Sequence, residues 1–159
     1  MKHALVLATA LMMSLPAFSM ERWNCNLTWQ AQGGGLQIIV GMFKLKGTGT
    51  AVCSNATGEI RELPFKVTMG GQPLSPSVSI GVMKVNAGAT IYGVEGQPES
   101  LFGKYATLGG QLALIGGVGA GVATEFLNDR DHKLSVNLEL VRGLGASVGV
   151  RVLKLESAE

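Results

Sequence analysis

The chain has 159 residues and a mass of 16.6 kDa, a length for one domain rather than two. With 47% hydrophobic and 15% charged residues it is too apolar for a disordered segment, and its 23 glycines follow no G-X-Y period, which excludes collagen. Thirteen Lys+Arg against eleven Asp+Glu leave a net +2, too balanced a total for the footprint of a nucleic-acid or anionic-lipid binder.

The first segment reads as an address. Lys2 and His3 make a short positive start, an apolar run follows from Ala4 to Leu15, and Pro16 precedes the small-residue pattern Ala17-Phe18-Ser19. This predicts a secretory signal peptide over residues 1–19 and a single β domain over 20–159. The apolar run is too short to cross roughly 30 Å of hydrocarbon as a helix. No cysteine directly follows Ser19, so a lipidated N-terminus is not expected.

Export decides how the cysteines read. Cys25 and Cys53 are the only two, and in an oxidising compartment an even pair reads as a disulfide. Closing the loop between them is worth roughly 3 kcal/mol in the chain-entropy account. A redox pair would have Cys-x-x-Cys spacing. Zinc would require further ligands, and His132 is the only histidine beyond the signal segment. Neither a metal nor a cofactor is therefore expected.

The rest reads as strands. Trp23, Cys25, Leu27 and Trp29 share one parity, with Asn24, Asn26 and Thr28 on the other, the pattern of a half-buried strand. Gln32-Gly33-Gly34-Gly35 is expected to break it. Leu36 to Lys46 is a second strand segment, Gly47-Thr48-Gly49 a bend, and Thr50 to Cys53 extended chain again. Asn55-Ala56-Thr57-Gly58 supplies turn chemistry. Leu63, Phe65, Val67 and Met69 alternate with polar residues, and Pro64 points to a strand edge or start. Val78, Ile80 and Val82 lie on even positions, whereas Val85, Ala87, Ala89 and Ile91 are odd. That phase slip predicts a bulge or tight turn near Met83 and Lys84. A short helical turn is allowed around Glu99 to Tyr105.

From Leu108 to Ala123 one face is bulky and the other nearly bare. Asn128 to Lys133 forms a polar hairpin loop. Leu134 to Val152 repeats the bulky even face. Both runs exceed the usual strand length of about 3–10 residues and must bend or split at their glycines. The expected fold is all-β: a small antiparallel barrel or sandwich of about seven to nine strands. The glycine face is expected to serve curvature or close approach rather than binding.

Candidate chemistry is sparse. Gly116-Gly117-Val118-Gly119-Ala120-Gly121 resembles a dinucleotide loop, but Val122 stands where the last glycine of G-x-G-x-x-G belongs, and the chain keeps its strand period. Asp129, Asp131 and His132 share one charged loop, which reads as a solvated hairpin tip. A calcium loop would need an internal glycine and a later glutamate. Glu59 with Glu62, or Glu95 with Glu99, could pair as glycosidase carboxylates, but nothing in the sequence sets either across a cleft. No G-x-S-x-G is present. The aromatics Trp23, Trp29, Phe43, Phe65, Tyr92, Phe102, Tyr105 and Phe126 read as core. No catalytic residue is assigned, and the chain is not expected to be an enzyme.

Leu101-Phe102-Gly103-Lys104-Tyr105, the glycine- and alanine-rich strand through Gly117-Val118-Gly119-Ala120, and the alternating end from Leu138 to Leu155 resemble small exported bacterial envelope proteins of the domain-of-unknown-function nine-nine-two type. Cys25-Asn26 and the second cysteine, Cys53, match the start of that family. Gly116 to Gly119 and Gly143 to Gly149 are also similar to the envelope-integrity domain-of-unknown-function eleven-thirty-four type. The resemblance implies a periplasmic or secreted β domain with an envelope role and brings no catalytic residues. The reading is thus an exported, non-enzymatic domain for envelope maintenance or apolar-ligand binding. Its partner would be an envelope lipid, glycan or protein, or a second copy, and not a nucleic acid. The alternative is an integral outer-membrane barrel or pore, with bulky faces to lipid and small or polar faces to a lumen.

Overall fold

The computed structural model describes residues 21–37, 43–71, 79–107, 112–113, 121–145, 149–150 and 152–158. The expected signal peptide, residues 1–19, lies outside them, as does most of the run 108–120. The described strands are β1 Arg22–Gln37, β2 Phe43–Asn55, β3 Ile60–Gly71, β4 Ser79–Glu95, β5 Gly103–Thr107, β6 Leu112–Ala113, β7 Gly121–Asn128, β8 Lys133–Gly145, β9 Gly149–Val150 and β10 Val152–Ser157. One short 3-10 helix, Pro98–Leu101, precedes β5; of the helical turn allowed around Glu99 to Tyr105 only the first residues are helical, and Gly103 to Tyr105 are strand.

Eight strands close into an antiparallel barrel in the order β1-β2-β3-β10-β5-β7-β8-β4, with β4 returning to β1. β6 and β9 form a separate two-stranded ladder. Closure gives each of the eight barrel strands a neighbour on both sides, which removes the edges an open sheet of them would have. The expected all-β barrel of seven to nine strands is what the chain forms.

Three local expectations changed. Gly33-Gly34-Gly35 does not interrupt β1: Gly34 pairs Val82 and Gly35 pairs Gly81, so ladder bonds carry the strand through. Gly47-Thr48-Gly49 is not a bend but the middle of β2. A Cβ on Gly47 would lie 1.9 Å from the Gln30 carbonyl oxygen, so glycine there lets β1 and β2 approach. Pro64 sits within β3, where its register partner is Thr50. Ala158 N–H donates to the Pro64 carbonyl at 3.1 Å, one residue past the last β10 pair, Ser157 with Phe65. The missing proline N–H thus falls where the β10 ladder ends. The phase slip near Met83 and Lys84 is a bulge: the β4–β8 register shifts between Ile80 and Lys84 and again before Val85. The described parts of the second long run are β8, β9 and β10, and residues 146–148 and 151 between them lie outside the described residues.

The barrel interior is packed. Two large residues in the middle of β1 have small partners beside them: Trp29 faces Gly49 and Ala87, and Leu27 faces Ala51 and Ala89. Trp29 meets Phe65 edge-on, with ring centroids 6.1 Å apart. Trp23, Tyr105, Phe126, Leu134 and Leu153 are fully buried. Cys25 and Cys53 are register partners that point inward and are bonded, across a sequence separation of 28.

The outward positions are polar. β1 exposes Asn24, Asn26, Thr28, Gln30 and Gln32. Its neighbour β2 exposes Lys44, Lys46, Thr48, Thr50 and Ser54. Val52, Ile60 and Tyr92 are the large apolar residues exposed among those described.

Candidate functional site

One end of the barrel carries the turn 55–59, the 3-10 helix and the turn 128–132. Asn55 folds the first turn: its Oδ1 accepts from Thr57 N–H at 3.1 Å and Glu59 N–H at 2.9 Å. Asn128 folds the last one by the same means. It is buried, and its Oδ1 accepts from Arg130 N–H at 2.9 Å and His132 N–H at 2.8 Å.

Trp23 plugs this end. Its Nε1–H donates to the Gly96 carbonyl at 2.9 Å, and the Arg61 guanidinium lies 5.3 Å from its ring centroid. Tyr105 O–H donates to the Leu101 carbonyl and so pins the 3-10 helix to β5. Burial pushes the Tyr105 phenol up to about 12, so it stays a neutral donor through the ordinary pH range.

Asp129, Asp131, His132, Glu59, Glu95 and Glu99 fall at this end, whereas most of the glycine run 116–121 lies outside the described residues. Asp129 and Asp131 are exposed, and Asp131 takes the left-handed conformation at φ 59°, which aspartate tolerates in a tight turn. His132 is half-buried, and its pKa is lowered first by burial and then by the nearby Arg130. Arg130 ties this turn to the 3-10 helix through the Ser100 carbonyl at 3.2 Å. No group of three or more metal-ligating side chains occurs among the described residues. Of the paired glutamates, Glu62 is exposed on β3, Glu59 and Glu99 both meet Arg61, at 2.8 and 3.8 Å, and Glu95 meets Arg22 at 3.3 Å. These are exposed pairs worth little stability each.

Concavities lie on the outer wall. The largest described, about 630 Å³, is a shallow groove across β1, β4, β8 and β7, rimmed by Thr28, Asn86, Asn137 and Glu139 over a floor that includes Gly88 and Gly121. Asn86 Oδ1 is buried there without a hydrogen-bond partner. A Cβ on Gly88 would meet only the Leu27 carbonyl oxygen, at 3.9 Å, so this floor is bare without steric need. Two smaller hollows lie on the lysine-bearing side. One, of about 340 Å³, sits between Lys46 and Lys84, and one of about 200 Å³ lies among Lys44, Lys104 and Lys154. Sequence reasoning missed these lysines, which are far apart in the chain and no window brings them together.

The geometry defines a class: a small closed barrel, filled inside by apolar side chains and polar outside. No family model, curated protein or solved structure matches the chain.

Proposed function

We propose that the chain is an exported, non-enzymatic barrel domain of the bacterial envelope that works through its outer surface. The observation that carries this is the direction of its side chains. Trp23, Leu27, Trp29, Phe65 and Phe126 face inward, while Lys44, Lys46, Lys84, Lys104 and Lys154 face outward. A barrel in lipid has the opposite arrangement, and one lysine on its lipid face costs about 2–4 kcal/mol at the bilayer midplane. That cost supports the water-facing reading over the pore.

A packed interior also supports the outer wall, rather than a lumen, as the binding surface. The envelope assignment rests on the signal-like segment 1–19 and on the resemblance to exported envelope families.

The test is fractionation of expressing cells, read on non-reducing gels. Protein released by osmotic shock, with a mobility shift on reduction, is the expected result. Heat-modifiable protein in the outer-membrane fraction overturns the proposal.

A further inference from the structure

The near-neutral total charge conceals a line of cations. Following register partners around the barrel, Lys104 of β5 faces Lys154 of β10, which faces Thr68 of β3, which faces Lys46 of β2. Lys46 faces Gln32 of β1, and Gln32 faces Lys84 of β4. By register the row then reaches Arg142 of β8.

Each of these lysines is exposed. Lys44 and Lys66, also exposed, flank the row two residues to either side on β2 and β3. Among the described residues, Lys154 alone of these lysines has a carboxylate within ion-pair range, Glu156 at 2.6 Å. Both smaller hollows open on the row. One adds Gln30 and Thr48 to Lys46 and Lys84, and the other adds Thr68 to Lys44, Lys104 and Lys154.

We infer that this row is the binding track of a linear acidic polysaccharide. Barrel strands are tilted, so a row drawn across them winds obliquely and its two ends face different directions. A flat bilayer surface touches one side of such a barrel, whereas a flexible chain follows the whole line. Neighbouring strands lie about 4.8 Å apart, which spaces the cations on the order of 5–10 Å, the scale of one or two sugar units.

Thr68, Gln32, Thr48 and Gln30 lie among the lysines and offer hydrogen bonds to hydroxyls. No aromatic side chain stands in the row. A single-stranded nucleic acid would be held by base stacking, which this surface does not provide. The inference deepens the outer-surface reading above by naming the partner's chemistry.

The test uses the purified full chain and a fluorescently labelled polygalacturonate oligomer, followed by polarisation at about 50 and about 150 mM salt. Binding should weaken with salt but persist at the higher value. Lys46→Glu with Lys84→Glu should weaken it by about ten-fold or more. Arg22→Glu with Lys133→Glu, an equal change of charge at the turn end, should change it by less than about two-fold. All four positions are exposed, and unchanged circular dichroism checks that both variants fold.

Equal losses in the two double variants, or no binding at the higher salt, overturn the inference. So does tighter binding to oligothymidylate of the same charge or to phosphatidylglycerol vesicles. Failure here with protein still in the shock fluid removes the polysaccharide track alone. Outer-membrane location removes the outer-surface reading whatever the oligomer does.

Discussion

Gly49→Ala lowers the stability of the barrel by about 3 kcal/mol, and Gly88→Ala changes it by less than about 0.5 kcal/mol. The two glycines sit on neighbouring parts of the same wall but face opposite ways. Gly49 faces inward opposite Trp29, and a Cβ there would lie 2.3 Å from the Thr28 carbonyl oxygen, 2.5 Å from the Trp29 Cβ and 2.8 Å from the Phe65 Cζ. Two of those atoms belong to the backbone or to the root of a side chain and cannot rotate away. The third is the tip of a ring held in the core. Accommodation therefore has to move β1 against β2. Gly88 faces the open outer groove, where an added methyl meets no atom closer than 3.9 Å. Urea midpoints of the two variants check the contrast, and equal midpoints would contradict the close-packed wall.

Reduction of the Cys25–Cys53 bond lowers stability by about 3 kcal/mol. The bond joins adjacent strands already paired in register, so it adds no new topology to the folded barrel. Its effect lies in the unfolded chain, where it closes a loop of sequence separation 28. Reduction removes the cross-link without deleting either buried side chain. Cys25→Ala with Cys53→Ala also removes buried side chains packed beside Ile91, so it should cost more. Matched urea transitions with and without a thiol reductant measure the difference. A midpoint unmoved by reduction would contradict it.

Much of the barrel was legible in the chain because burial writes a period of two wherever one strand face is dry. Trp23, Cys25, Leu27 and Trp29 are read correctly for that reason, and the change of parity near Met83 is read correctly as a bulge. The errors fall on glycine and proline. Local propensity argues for a break at Gly33 to Gly35 and at Gly47 to Gly49, but pairing with β4 carries the first through and pairing with both β1 and β3 the second. Pro64 is tolerated because its missing donor falls at the end of the β10 ladder, a tertiary fact no local window contains.

The candidate site divides in the same way. The turn at Asp129, Asp131 and His132 is visible as a hairpin tip because Asn128 carries the local hydrogen bonds that make one. The lysine row is invisible in sequence. Lys46, Lys84, Lys104 and Lys154 sit on four different strands, and only the closed register sets them in line.

On the proposed reading the polar wall faces water while apolar residues fill the barrel. Refolding from urea in detergent-free buffer, followed by tryptophan fluorescence, tests it most directly. The expected result is a single reversible transition in which Trp23 and Trp29, 0% and 3% exposed when folded, move from water into the core without any lipid or detergent present. A chain that stays unfolded or aggregates until detergent micelles or vesicles are added would contradict it.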